Sequence, residues 1–261
     1  MNWKTIIYDV SDKIGTITLN RPEANNTFDI TMATELNNAL RDMDSDSEVN
    51  VIVINANGRN FCTGIDVNYV DGKPMDEYLD WVRLMEDMNT TISGMNKPVI
   101  ASVHKIAVAN GIGLVAACDL AIAADNSKFG ATAINVGLFC MGPAVPLYKS
   151  LGRKKTLELI MTGELIDAQE AQRIGLINRV VPAESLEEET RKFAAKLAAK
   201  SPRAMQLGKR SFYQIEDMKF GDALEMSNYH FASLCTTEEA IEGVNAFLEK
   251  REPKWNKKSD D

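Results

Sequence analysis

The 261-residue sequence has only two histidines, His104 and His230, and four cysteines, Cys62, Cys118, Cys140 and Cys235. No two cysteines form a C-x-x-C pair, so a Cys/His zinc site is excluded as a reading and no metal is expected. Lys/Arg blocks suited to tracking a phosphate backbone are absent, and the net charge is -8. Nucleic acid is therefore not an expected partner, although a locally basic patch can still hold a small polyanion. No window reaches the roughly 18 apolar residues that a membrane span needs, so no membrane partner is expected. The first residues, "MNWKTIIYDVSDKIG", carry neither an apolar signal core nor an Arg-rich amphipathic pattern. No export or transit signal is expected, and scattered thiols in an acidic chain point to a reducing, cytoplasmic setting.

What is present is an alternation of strand and helix signals. "TIIYDV" and "GTITL" flank a polar turn and predict a β-hairpin. Ile30, Met32, Ala33, Leu36, Ala39, Leu40 and Met43 recur at helical spacing, and "VNVIVINA" predicts a buried strand. Tyr78, Leu79, Val82, Met85 and Ile92 predict one face of a second helix, followed by a strand begun by Pro98. "GIGLVAAC" reads as helix and "DLAIAAD" as strand, and "KKTLELIMTG" reads as a helix stopped by Gly163. Asp167 and Glu170 form a capping box for a helix ending at Gly175, and "LINRVV" is a further strand. Ser201-Pro202 starts a helix in the final, all-helical third, whose last helix is expected from about Phe220 to Lys250. Alternating strands and helices predict an α/β core with parallel sheet. The expected division is a core over 1–200 and a helical region over 201–261.

Two loops each follow a buried strand. They are "FCTGIDV" and "HKIAVANGIG", and the second opens directly into a helix. Ligands of α/β sheets bind at the carboxyl ends of strands. A helix N-terminus offers unpaired N–H groups and a positive dipole end. Gly64, Gly111 and Gly113 permit close backbone approach, and read equally well as turn residues.

Several motifs in these loops and beyond resemble the crotonase (enoyl-CoA hydratase/isomerase) superfamily. "FCTGIDV" is similar to its F-C-A-G-A-D-L loop, and "ASVHKIAVANGIGLVAACDLAIAAD" to its A-x-V-x-G-x-A-x-G-G-G-x-E-L-A-L-A-C-D segment. "KFGATAINVGL", "LIMTGELIDAQEAQRIGLINRVVP" and "FLEKREPKW" follow in the family's order and cover nearly the whole chain. "NVGLFC" resembles the enoyl-CoA hydratase domain-containing protein 3 branch, which also lacks both hydratase glutamates.

The resemblance implies a crotonase-like spiral of ββα units with a C-terminal helical region that serves in trimerisation, giving a homotrimer or a dimer of trimers. It implies an acyl-CoA thioester as partner, with no cofactor beyond the coenzyme A of that thioester. It also implies main-chain N–H groups of Ile65 and Asn110 as oxyanion donors. Cys62, Gly64, Asp66, Gly111 and Asn135 are the implied substrate-binding positions, with Arg21 and Lys250 at the phosphates. The family's two hydratase glutamates map to Gly113 and Ala133, and neither residue can move a proton. The carboxylate of the dehalogenase branch maps near Leu138 and Phe139, so that route is closed as well. Hydration is therefore expected to be weak or absent. An enzyme that stabilises a thioester enolate or oxyanion, and a non-catalytic acyl-CoA binder or assembly partner, both remain open. Candidate substitutes are Asp66, Asn135, His104, Cys62 and Cys140. Asp76, Glu77 and Asp80 at the start of the second long helix are further candidates, and each also reads as an ordinary structural or surface residue.

Overall fold

A computed structural model describes residues 3–256. Strands β1 (Ile6–Ser11) and β2 (Ile14–Leu19) form the expected antiparallel hairpin. Its two-residue turn, Asp12-Lys13, has φ of 52° and 63°, the left-handed pair that matches hairpin twist. Helix α1 (Ile30–Ser45) is capped by Asp29, whose carboxylate accepts the Met32 N–H at 2.7 Å. Met32, Ala33, Leu36, Ala39, Leu40 and Met43 are buried as their spacing predicts, whereas Ile30 at the first turn is exposed.

From β3 (Val51–Ala56) the chain winds as a spiral. Helix α2 (Met75–Gly94) returns it to β4 (Val99–Val103), and a three-residue strand β5 (Ile106–Val108) leads into α3 (Asn110–Ala117). Strands β6 (Leu120–Ala124) and β7 (Lys128–Gly130) then precede α4 (Met141–Thr162). The short β8 (Ile166–Asp167), α5 (Ala168–Arg173) and β9 (Arg179–Val181) close the core. A six-stranded sheet has the order β1-β2-β3-β4-β6-β9, parallel after the first pair, and a second sheet has the order β5-β7-β8. Repeated ββα turns of this kind make the α/β spiral.

Period-two alternation assigns the sheet faces. Ile52 and Ile54 face the main core with α1 and α2. Val51, Val53, Ile100 and Ile122 face Leu186, Phe193 and Ala194 of α6 (Leu186–Ala198). Helices α7 (Pro202–Ile215), α8 (Phe220–Cys235) and α9 (Glu238–Glu249) follow. Lys209 of α7 anchors this region to the core. Its ammonium bonds Asp119 at 2.7 Å and the Lys97 carbonyl at 2.9 Å, with the lysine side chain only 6% exposed.

Four local expectations differ from the structure. The buried stripe of α2 is Trp81, Met85, Met88 and Ile92, so the helix is rotated and Leu79 and Val82 are exposed. The long terminal helix is two, broken where Thr237 caps α9 through the Ala240 N–H. The capping box at α5 is half formed. Asp167 accepts the Glu170 N–H, but the Glu170 carboxylate turns to Arg173 and Lys155. The segment read as one loop after β4 contains β5. Among the described residues no helix is long and apolar enough to cross a membrane.

Candidate functional site

One residue bridge joins the two loops, and a second ties the first loop to the segment before α1. Cys62 pairs with Ala107 of β5 in parallel, and Phe28 pairs with Ile65. The first loop is thereby the rung beside β5, with Cys62 N–H to Ile106 O at 3.1 Å and Val108 N–H to Cys62 O at 3.0 Å. The buried amide of Asn26 holds this region, donating to the Asn57 and Asn60 carbonyls, both at 2.8 Å.

Glycine allows the final approach. A Cβ on Gly64, whose φ is +105°, would stand 2.8 Å from Ala109 Cβ and 3.6 Å from the Asn110 nitrogen. A Cβ on Gly111 would overlap the Cys62 carbonyl. The two chain segments are thus in backbone contact, and the Asn110 N–H sits directly beside the Gly64-Ile65 peptide. Ala109 makes the turn, with φ 51° and ψ -119°, a conformation that costs a residue with a Cβ of order 1–3 kcal/mol. The strained residue is therefore Ala109, while Asn110 is regular helix. Among the described residues the N–H groups of Ile65 and Asn110 have no hydrogen-bond acceptor. Asn110 is the first residue of α3, where N–H groups have no intrahelical partner.

The side chain of Asn110 supplies what the sequence did not reveal. Its amide donates at 2.7 Å to one oxygen of Glu86, on α2, and Asn89 donates at 2.7 Å to the other. Burial raises the Glu86 carboxyl above its ordinary value, against the two amide hydrogen bonds that pull it down. No cation pairs with Glu86 among the described residues. Room for the carboxyl exists because residue 142 is glycine, since a Cβ there would overlap it. The Cys140 thiol feels both the Glu86 charge and the Ala133 carbonyl, and burial pushes it up. Glu86 therefore lies between α3, the start of α4 and the neighbourhood of Ala133. Nothing in "LMEDMN" distinguishes Glu86 from a surface acid. The available signal was Asn110, an amide where the resemblance has glycine, which requires a partner.

The first of the two positions to which the resemblance maps a glutamate is not open space. Gly113 is buried in α3, and a Cβ there would stand 3.0 Å, 3.1 Å and 3.2 Å from three carbons of Pro143.

Other candidate residues have structural employment. The Cys62 side chain is fully buried with its thiol pushed up to about 12, so it packs as a core group. Asp66 caps the short 3-10 turn Val67–Tyr69, accepting from Asn68, and lies 3.8 Å from Arg21. Arg21 also pairs with Asp29 at 3.3 Å and donates to the Thr27 carbonyl, so a phosphate would meet a trio of net charge -1. Asn135 donates to the Gly163 carbonyl, closing the end of α4. Lys250 caps α9 in a left-handed turn, and no hydrogen bond among the described residues joins it to the loops. His104 is held by the Gly58 carbonyl at 3.1 Å, and burial lowers its titration. Asp76, Glu77 and Asp80 are exposed at the start of α2.

A family model described as enoyl-CoA hydratase/isomerase matches residues 9–258. The enoyl-CoA hydratase domain-containing protein 3, mitochondrial, of Rattus norvegicus is 36% identical over 246 residues, covering 94% of this chain and 82% of the relative. A crystal structure of an enoyl-CoA hydratase from Mycobacterium smegmatis superposes with a TM-score of 0.94 at 36% identity, covering 97% of this chain and 100% of that one. The crystal structure of human enoyl Coenzyme A hydratase domain-containing protein 3 gives a TM-score of 0.92 at 35% identity, with coverage of 96% and 99%.

Proposed function

The chain belongs to the enoyl-CoA hydratase/isomerase family, and from that premise we propose that it binds an acyl-CoA thioester with the carbonyl oxygen between the N–H groups of Ile65 and Asn110. The observation that carries this reading is the pair of acceptor-free N–H groups on two loops in backbone contact. Charge that develops on the thioester oxygen during enolate or tetrahedral-intermediate formation would be met by fixed dipoles. A single donor of this kind is worth about 10²–10³ in rate. The coenzyme A is part of the substrate, and no other cofactor enters the reading.

Hydration through the family's two glutamates is not part of the proposal, because Gly113 and Ala133 stand at those positions. That same replacement favours a second reading, a non-catalytic acyl-CoA binder or assembly partner. Turnover of a panel of thioesters separates the two. A homotrimer, or dimer of trimers, in the cytoplasm completes the proposal. It is supported by large exposed apolar side chains on α7–α9, including Phe212, Phe220, Phe231 and Phe247, and by four unpaired cysteines.

Butyryl-CoA should raise the melting temperature in a saturable way. The G64A variant, which forces its Cβ onto Ala109 and strains a positive-φ residue, should bind it at least several-fold more weakly. Failure of the unmodified protein to bind any CoA thioester would remove the reading.

A further inference from the structure

Glu86 is a half-buried carboxyl without a cation, held at both oxygens by amides and seated in a space that only a glycine at 142 leaves. A surface acid has no need of such a cradle, and a structural one would be expected to have a countercharge. We propose that Glu86 is the proton-transfer group of this site, taking a proton from the carbon next to the thioester carbonyl and returning it to that carbon or to a carbon conjugated with it. The inference rests on the thioester reading above.

The chemistry balances without a co-reactant. The Cα–H bond breaks and the proton goes to a Glu86 oxygen. The electron pair moves into the Cα–C bond and onto the thioester oxygen, held by the N–H groups of Ile65 and Asn110. Return of the proton to Cα gives exchange. With a β,γ-unsaturated thioester, return of the proton to the γ-carbon of the dienolate gives the α,β-unsaturated isomer, with nothing oxidised or reduced. Water addition would in addition require a positioned water.

Three features fit this role. Asn110 couples the two functions physically, because its N–H faces the proposed oxygen while its side chain holds the carboxyl. Asn89 suits both protonation states. Its Nδ2 donates to the carboxylate and its Oδ1 is buried with no partner. Rotation of the amide would let Oδ1 accept a hydrogen bond from the O–H of the neutral acid. Burial raises the Glu86 carboxyl above its ordinary value, which makes the carboxylate a stronger base than an exposed acid. On the same flank of α2, the exposed side chains of Val82 and Leu79 give apolar surface leading to the carboxyl.

The test uses the full chain and butyryl-CoA in deuterium oxide. Binding is measured by calorimetry, and loss of the α-proton signal by NMR. The unmodified protein should bind and exchange. E86Q should bind within a few-fold of it and exchange about 10²–10⁴ more slowly. E187Q, at an exposed position in the first turn of α6, should exchange normally. If E86Q does not fold, G142A asks the same question, since it keeps the carboxyl in the chain but displaces it, and should abolish exchange. Exchange by E86Q or G142A at the unmodified rate would overturn the proposal. So would binding of butyryl-CoA by the unmodified protein without exchange. Absence of binding would overturn the thioester reading and this inference with it.

Discussion

Restoring a glutamate at position 113 should not create a hydratase. Gly113 is buried in α3, and even a methyl group there would press on three carbons of Pro143 at 3.0–3.2 Å. A proline ring cannot rotate aside, and relieving the contact moves the first turn of α4. Overpacking of this kind typically costs about 1–3 kcal/mol. Replacing a helical glycine recovers about 1 kcal/mol in propensity, so G113A should lie within about 1 kcal/mol of the parent. G113E adds a carboxyl that must either ionise at a cost of several kcal/mol or be held neutral by a large shift. It also stands close to Gly142, against which Glu86 already packs. The expected net loss is about 2–4 kcal/mol, or roughly 5–15 °C in melting temperature for a domain of this size. Thermal melts followed by circular dichroism, with crotonyl-CoA hydration followed by loss of the conjugated absorbance, read both consequences. P143A in the same background should recover part of the stability. If G113E, or G113E combined with A133E, melts like the parent and hydrates crotonyl-CoA, then the space at Gly113 is not closed and the packing argument fails.

Three other outcomes are expected. K209M leaves Asp119 buried with only the Val99 N–H and Tyr213 hydroxyl as partners, and should destabilise by about 3–5 kcal/mol in urea unfolding. Because the Glu86 carboxyl titrates above its unfolded value, its contribution to stability is complete below the usual carboxylate range and is lost as pH rises through the raised value. The melting temperature of E86Q relative to the parent should therefore climb across that window, and a flat difference would contradict the shift. F247D, at a side chain 82% exposed on α9, should lower the mass seen by light scattering if the C-terminal helices join subunits, with the melting curve of the separated chain retained.

Elements with a strong local signal were legible. The β1–β2 hairpin, β3 and the Ser201 and Asp167 caps follow from alternation, β-branched runs and capping chemistry. Strands β5, β7 and β8 are two or three residues long, too short for any periodicity, and exist because the spiral stacks them. The first half of α4 carries Gly142, Pro143 and Pro146, which disfavour helix, and the helix is kinked at Gly152 with φ 72°. The break before α9 has neither glycine nor proline and is made by Thr236, which closes α8, and Thr237, which caps α9. At the site, the pairing of the two loops was foreshadowed by their positions after β3 and β4. Glu86 was not, because its meaning comes from Asn110 and Gly142, which are 24 and 56 positions away along the chain.

The glycine at 142 has a historical consequence. A side chain there and the carboxyl at 86 in its present seat exclude each other sterically. A lineage that gains the acid before position 142 becomes glycine must hold it turned out of this seat. Once Glu86 is seated, mutation at 142 is penalised by a residue on another helix. The pair then behaves as a ratchet, making return to the older arrangement harder than departure from it.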